Sequence, residues 1–208
     1  PYDLTKGRII FRHKWYFLAN NKIKLILASS SKRRLDMLTK IGYEPDLVHS
    51  PNIDETLLNK ENPKHYVSRM AEEKAKSAMD SHRQKYILGA DTAIVTGSQI
   101  IGKPKNYEDA CQILHKLSGK RHRVYGGICI ISPNKNIVKR VIVTRVNFRF
   151  ISSYEIKEYL KINEWKDKAG GYAIQGYASK FIKHINGNYD NVMGLSLVDF
   201  DSMIRGIK

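Results

Sequence analysis

Hydrophobic residues occur in short continuous runs early in the chain and in longer, partly alternating segments later. The runs at 24–28 and 86–90 are typical of strands buried on both faces, which are apolar throughout. Segment 63–79 has apolar residues at helical spacing, which predicts an amphipathic helix. Two longer strands are predicted at 124–131 and 138–150, because apolar and polar residues alternate near the end of the second one.

Capping and turn residues divide the rest of the chain. The remaining predicted elements are a helix from Ser31 to Gly42, a hairpin at 93–101, a helix after Asn106, a helix after Ser152 or Ser153, a strand at 181–185 and a helix from about Asp199. Helices and strands alternate first, and antiparallel strands follow. This order predicts an α/β protein with a mixed, twisted sheet and flanking helices, in two lobes around a deep cleft.

The length of 208 residues suits one large domain or two tightly joined lobes. Residues 1–21 match no periodic element and are interpreted as a leader of uncertain order, which leaves 22–208 as the folded domain. No apolar run approaches the roughly 18 residues that a membrane-spanning helix needs, so no membrane partner is expected. Cys111 and Cys129 have no close metal-ligand spacing, which favours a reduced, cytoplasmic protein.

The chain is strongly basic. It has 36 Lys and Arg residues against 20 Asp and Glu residues, for a formal net charge of +16. Such an excess favours contacts with polyanions, and nucleic acid is one candidate partner. The alternative is a solvated basic surface, because the lysines are scattered and charge alone does not define a site.

A candidate anion site lies at 29–34, where the first strand turns into a helix. Cations in a first helical turn are unfavourable by ~0.3–1 kcal/mol each, so three consecutive cations there indicate a compensating anion. Serine hydroxyls, free helix amides and guanidinium groups together suit a phosphate. The sequence therefore predicts a phosphate cradle that includes Ser29, Ser31, Arg33 and Arg34. The alternative is a capped helix with a solvated basic turn.

Three acidic residues are candidates for metal binding or catalysis. Asp91 directly follows the buried run at 86–90, and the carboxyl end of a strand is where α/β proteins bind ligands. Asp54 and Glu55 follow a proline in a loop. Carboxylates in such places can hold Mg²⁺ against phosphates or orient a water molecule. The alternatives are a turn-stabilising role for Asp91 and solvated loop charges for the pair.

Two lysines and a glutamine complete the candidates. Lys74 lies on the apolar face of its helix, where it either snorkels to solvent or extends into a cleft. Lys103 lies in the rigid turn 102–104. The glycine-rich segment 167–176 allows close backbone approach to a ligand, and Gln175 within it has a donor and an acceptor that suit a base edge. The alternative for this segment is an ordinary glycine-rich loop.

These motifs, in this order, resemble the Maf family over about residues 24–198. The matching pieces are Leu27-Ala28-Ser29-Ser30-Ser31 with Arg33-Arg34, Asp54-Glu55, Glu73-Lys74-Ala75, Gly89-Ala90-Asp91-Thr92, Gly102-Lys103-Pro104, Leu117-Ser118-Gly119 with His122 and Val124, Asp167 to Gly176, and Gly187 to Leu195. The resemblance implies a fold like that of inosine-triphosphate pyrophosphatases, often as a homodimer. It also implies hydrolysis of a nucleoside triphosphate between the α- and β-phosphates with Mg²⁺ or Mn²⁺.

The resemblance implies roles for individual residues as well. The residue matching Asp91 activates water, and residues matching Arg33, Thr92 and Gln175 are associated with the choice of base. The form Ile174-Gln175-Gly176 resembles the subgroup that acts on dTTP and UTP. Two alternatives stay open, namely the related 7-methyl-GTP subgroup and a nucleic-acid-binding or regulatory protein that kept the fold.

The resulting hypothesis assigns ten residues to one site. Catalytic roles fall to Asp91, Lys103 and Lys74, substrate binding falls to Ser29, Ser31, Arg33, Arg34, Thr92 and Gln175, and metal binding falls to Glu55 and Asp91. Lysines and arginines would stabilise the charge that grows on departing pyrophosphate.

Overall fold

The computed structural model describes residues 23–79 and 84–207, so the predicted leader at 1–21 lies outside the described residues. The domain boundary at residue 22 therefore stays a prediction. The strands are β1 Leu25–Ala28, β2 Leu47–His49, β3 Tyr86–Thr96, β4 Gln99–Ile101, β5 Arg121–Ile131, β6 Ile137–Phe148 and β7 Ile182–Asn186. The α-helices are α1 Lys32–Lys40, α2 Pro63–Ser77, α3 Tyr107–Leu117, α4 Ser153–Lys161, α5 Tyr189–Met193 and α6 Leu197–Gly206. Two short 3₁₀ helices, Ala169–Gly171 and Tyr177–Phe181, precede β7.

The seven strands form one mixed sheet in the order β2-β1-β3-β5-β6-β7, with β4 paired to β3. β1 runs parallel to β2 and β3, whereas the other pairs are antiparallel. Along one edge of β3, β1 pairs with residues 86–89 and β4 pairs with residues 94–96. Residues 90–93 therefore have a strand neighbour, β5, on the other edge only. This gap opens the sheet into two lobes.

Each lobe has its own apolar core. In the first lobe, α1 and α6 cover one face of β1 and β3 with side chains such as Leu38 and Phe200, and α2 covers the other face with Ala71. In the second lobe, α3 and α4 pack on the far ends of β5 and β6, where Phe148 and Tyr159 are fully buried. The predicted α/β class, with a mixed sheet and two lobes around a cleft, is confirmed.

Helix α2 lies unusually close to the sheet, because glycines face it. A Cβ atom at Gly89 would overlap the carbonyl oxygen of Ala71 and lie 2.7 Å from the amide nitrogen of Ala75. A Cβ atom at Gly127 on β5 would likewise overlap the carbonyl oxygen of Val67. The backbone of α2 thus rests directly on two adjacent strands, which fixes where its buried side chains point.

Several predicted elements differ in detail from the observed ones. The runs at 86–90 and 93–95 form one continuous strand, β3, because β5 pairs along nearly all of it. The strand predicted to reach residue 150 ends at Phe148, where an irregular register with β7 interrupts the ladder, and Phe150 is 74% exposed. Two predicted caps are confirmed, since the Asn106 and Ser152 side chains accept hydrogen bonds from the first turns of α3 and α4. The serine predicted to cap α1, Ser31, is at the N-cap position but makes no side-chain capping bond.

The close packing of α2 leads to a stability prediction. Gly89→Ala should lower the free energy of unfolding by about 1–3 kcal/mol or more, because the added methyl group meets helix backbone that cannot rotate away. Gly206→Ala is the matched control, since nothing lies within 4 Å of its added Cβ. Thermal unfolding measures the melting temperatures of both variants, and Gly89→Ala should melt below Gly206→Ala. Equal melting temperatures for the two would contradict the account of α2 packing.

Candidate functional site

A cavity of about 660 Å³ opens at the gap in the sheet and takes its walls from both lobes. All ten residues assigned to the site from sequence line it, although their chemical roles stay predictions at this point. They are Ser29, Ser31, Arg33, Arg34, Glu55, Lys74, Asp91, Thr92, Lys103 and Gln175. Asp54 is not among the lining residues; it lies in an exposed loop, where its carboxylate accepts a hydrogen bond from the Thr56 amide at 2.8 Å.

An ion-paired group of one lysine and two carboxylates forms one wall. The Lys74 Nζ atom lies 2.6 Å from Asp91 Oδ1 and 2.7 Å from Glu55 Oε1. Lys74 and Asp91 are buried, at 6% and 7% exposure, so the lysine does not snorkel to solvent. Three separate segments supply the group: α2, β3 and the loop before α2. The chain thus holds two carboxylates on a single cation.

The charges around Glu55 favour its ionised form. Burial alone raises the pKa of Glu55, but the hydrogen bond from Lys74 and the charges of Lys74 and Lys103 outweigh it, so the net shift is downward. Burial, together with the charges of Asp91 and Glu55, raises the pKa of Tyr66 to about 12. The Tyr66 hydroxyl therefore stays protonated, and it donates to the backbone carbonyl of Glu55 at 3.1 Å.

The serine-arginine turn forms a second part of the cavity wall. Helix α1 begins at Lys32 with three consecutive cations, has no acidic residue in its first turn, and its N-cap Ser31 makes no side-chain capping bond. Helix N-termini carry free amide groups and a positive dipole end. This combination of features is typical of a helix N-terminus that receives an anion.

The two arginines of this turn have different environments. Arg34 is buried, and its guanidinium donates to Ser29 Oγ at 2.9 Å, Thr92 Oγ1 at 3.1 Å and the Gly194 carbonyl at 2.9 Å. These bonds join β1, β3 and the segment after α5, and they occupy three of the five guanidinium N–H groups. Arg33 is half-buried, and burial, opposed by Tyr159 and Glu164, lowers its pKa. Of the two arginine side chains, Arg33 is therefore the more accessible to a ligand in the cavity.

The second lobe contributes the remaining wall. Gln175 is exposed to the cavity, and the backbone amide of Gly170 donates to the Gly102 carbonyl at 2.9 Å, which ties the glycine-rich segment to the turn that carries Lys103. Sequence reasoning missed Glu164 and Lys166, which also line the cavity. The alternation of charges just before the glycine-rich segment is the signal that could have indicated them.

Glu55 and Asp91 are the carboxylates that the cavity offers to a metal ion at the Lys74 group. Within residues 23–79 and 84–207, no group of three or more His, Cys, Asp or Glu side chains is placed to hold a metal ion. Over the same residues, no helix has the length and apolar character to cross a membrane. Any metal at the cavity would therefore need ligands beyond Glu55 and Asp91, such as water or substrate oxygens.

The fold and the cavity define an α/β protein with a cation-rich cleft between two lobes. The chain belongs to the Maf family, because the family model described as Maf-like protein matches residues 24–207. The resemblance inferred from the sequence motifs is therefore confirmed.

Named relatives span nearly the same length. A dTTP/UTP pyrophosphatase of Agrobacterium fabrum is 40% identical over 91% of this chain and 94% of its own length. A dTTP/UTP pyrophosphatase of Paramagnetospirillum magneticum is 43% identical over 88% of this chain and 96% of its own. Among solved structures, the Ham1 protein of Staphylococcus aureus matches with a TM-score of 0.52 at 12% identity, covering 89% of this chain and 100% of that one. The likeness to the Ham1 protein concerns the fold alone.

The contrast between the arginines gives a stability prediction for the ligand-free protein. Arg34→Ala should lower the free energy of unfolding by roughly 3 kcal/mol, because it leaves buried acceptors without their donor. Arg33→Ala should leave it unchanged or raise it by up to ~1 kcal/mol, because it removes a cation from a first helical turn. Thermal melting without nucleotide measures both. If Arg33→Ala melts as far below wild type as Arg34→Ala, Arg33 is structural and is not free for a ligand.

Proposed function

We propose that this protein hydrolyses nucleoside triphosphates to the monophosphate and pyrophosphate, with UTP and dTTP as preferred substrates. The observation that carries the proposal is the juxtaposition, in one cavity, of a cationic helix N-terminus and a carboxylate pair, buried Asp91 and exposed Glu55, that shares the Lys74 ammonium. The names of the relatives at about 40% identity support the same reaction. A cavity of about 660 Å³ is within the usual size range of small-molecule sites.

The triphosphate would bind at the start of α1. Ser29, Ser31 and the first-turn amides supply neutral donors, and Arg33 supplies a guanidinium that is less buried than that of Arg34. Lys103 also lines the cavity, and its charge acts on Glu55. Arg34 acts in this scheme mainly by holding Ser29 and Thr92 in place. Phosphoryl chemistry depends chiefly on such positioning and on charge stabilisation.

The two carboxylates fit a divalent cation. Glu55 and Asp91 converge on one ammonium at 2.7 and 2.6 Å, so their oxygens already share a site for positive charge. Mg²⁺ and Mn²⁺ prefer oxygen ligands, and Mg²⁺ is commonly held by one or two carboxylates together with substrate phosphates. When bound, such an ion neutralises charge on the phosphate oxygens. Lys74 is then available as a further cation beside the substrate.

Asp91 is the proposed general base. Its carboxylate is buried, is oriented by Lys74 at 2.6 Å and lies at the gap in the sheet where the cavity opens. It would accept the proton of a water molecule as that water forms a bond to phosphorus. The phosphoanhydride between the α- and β-phosphates breaks, and pyrophosphate leaves toward Arg33 and Lys103, which stabilise its charge.

Base choice would depend on Gln175. Its amide can pair with both a carbonyl and a ring N–H, and uracil and thymine present that edge with acceptors flanking a donor. A guanine is larger and has a different polar pattern, so a site that hydrogen-bonds a pyrimidine edge would bind it less well.

Assembly as a homodimer and a cytoplasmic location also stay predictions.

A nucleotide screen tests the proposal. UTP and dTTP should exceed GTP and 7-methyl-GTP in kcat/KM by at least ~10-fold, and Gln175→Ala should narrow the gap, because it removes the amide that pairs with a pyrimidine edge and is left unpaired by guanine. Gln112→Ala, on the exposed side of α3, is the matched control and should change nothing. Release of monophosphate and pyrophosphate is measured for each nucleotide.

The other candidate functions correspond to other outcomes of this screen. A preference for 7-methyl-GTP over UTP would contradict the assignment to the dTTP/UTP subgroup, but it would still support a nucleoside triphosphate pyrophosphatase. Absence of turnover with every nucleotide would reject the enzyme. In that case, nucleic-acid binding that persists at physiological salt would favour the binding protein, since nonspecific binding weakens steeply as salt rises.

A further inference from the structure

The glycine-rich segment that carries Gln175 lies on side chains of β3 and β5. We call residues 169–175 the base-pocket loop. Gly170 and Gly171 both have a φ of 67°, a left-handed conformation that suits glycine. A Cβ atom at Gly170 would collide with the side chain of Ile94 on β3, so the loop backbone rests directly on that strand. The position of the loop therefore depends on what fixes it to the sheet.

One polar contact fixes the loop near its centre. The His122 Nε2 atom on β5 lies 2.8 Å from the Tyr172 hydroxyl, and the two residues are only 2% and 4% exposed. The Phe148 ring contacts both rings edge-on, with centroids 4.9 Å from each. Tyr172 also lines the cavity, three residues before Gln175. A buried hydrogen bond thus connects the strand to the cavity wall.

The hydrogen-bonding state of His122 follows from its surroundings. Burial lowers the pKa of His122 to about 4, so the ring is neutral near neutral pH. Its Nδ1 atom has no hydrogen-bond partner among the described residues. In either neutral tautomer this contact is one hydrogen bond: a protonated Nε2 donates to the Tyr172 hydroxyl oxygen, and an unprotonated Nε2 accepts from the Tyr172 O–H.

We propose that His122 is a positioning residue for base recognition, acting through Tyr172 on the loop that presents Gln175. This inference takes its substrate, a pyrimidine nucleoside triphosphate, from the proposed function, and it takes the contacts of His122 and Tyr172 from the structure. The phosphate side has separate supports, since Arg34 is held by Ser29, Thr92 and Gly194, and Asp91 is held by Lys74. Loss of the His122 contact should therefore impair base discrimination more than the chemical step.

The experiment is a double-mutant cycle with His122→Phe and Tyr172→Phe. Tyr172→Phe removes one hydroxyl group and keeps the ring that packs on Phe148. The ratio of kcat/KM for UTP over GTP should fall about three- to tenfold in each single variant, as expected for the net value of one hydrogen bond. KM for UTP should rise more than kcat falls. The double variant should lose no more than either single variant, because both remove the same contact.

His122→Gln provides the rescue variant. Glutamine places an amide near the position of Nε2, so it can still hydrogen-bond the Tyr172 hydroxyl, and the UTP preference should return most of the way to wild type. A residue that matters only for stability would reduce kcat for all nucleotides alike and leave the ratio unchanged. An unchanged ratio in folded Tyr172→Phe would overturn the inference, and so would effects that multiply in the double variant.

Hydrogen exchange separates this inference from the proposed function, because it needs no turnover. Amides of the base-pocket loop should exchange faster in Tyr172→Phe than in wild type, while amides of α1 should be unaffected. Equal exchange of the loop in both proteins would overturn the positioning role even if UTP is the substrate. Faster exchange would support it even if wild type hydrolyses none of the nucleotides. If His122→Phe does not fold, Tyr172→Phe and His122→Gln still decide the question.

Discussion

The buried ammonium of Lys74 is the group around which the cavity is organised. A buried charge is costly unless it is paired, and Lys74 meets this requirement with two carboxylates, Asp91 and Glu55. The arrangement is possible because Gly89 lets the backbone of α2 lie directly on the sheet. A lysine in the middle of an apolar helical stripe therefore faces a strand carboxylate at 2.6 Å, where on most helices it would extend into solvent.

The gap in the sheet gives this charged group access to a ligand. β1 and β4 pair with different parts of one edge of β3, and the residues between them, 90–93, face the cavity side without a strand neighbour. The Arg34 guanidinium stabilises the structure around the gap. It donates hydrogen bonds to Ser29, which follows β1, to Thr92 on β3 and to the Gly194 carbonyl. Strand register and one buried guanidinium thus determine where a polyanion can enter.

Local patterns predicted most of the fold, and local patterns together with the resemblance to the Maf family predicted the members of the candidate site. Asp91 could be predicted because it ends an apolar run, and Lys74 because it interrupts an apolar stripe. The different environments of Arg33 and Arg34 could not be predicted, because they depend on Gly194, which lies 160 residues from Arg34 in the chain. The gap in the sheet could not be predicted either, because it follows from the register of β1 and β4 on β3 and not from a local sequence signal.

The measurement that most directly tests the central claim is phosphorus NMR of UTP hydrolysis by wild type and by Asp91→Asn. The account predicts equal amounts of UMP and pyrophosphate from wild type. For the variant it predicts a rate lower by ~10²-fold or more, because the substitution keeps the size of the side chain but removes the base. The variant should still melt cooperatively, since Glu55 continues to pair with Lys74. Formation of UDP and phosphate, or near-wild-type turnover by a folded Asp91→Asn protein, would contradict the account.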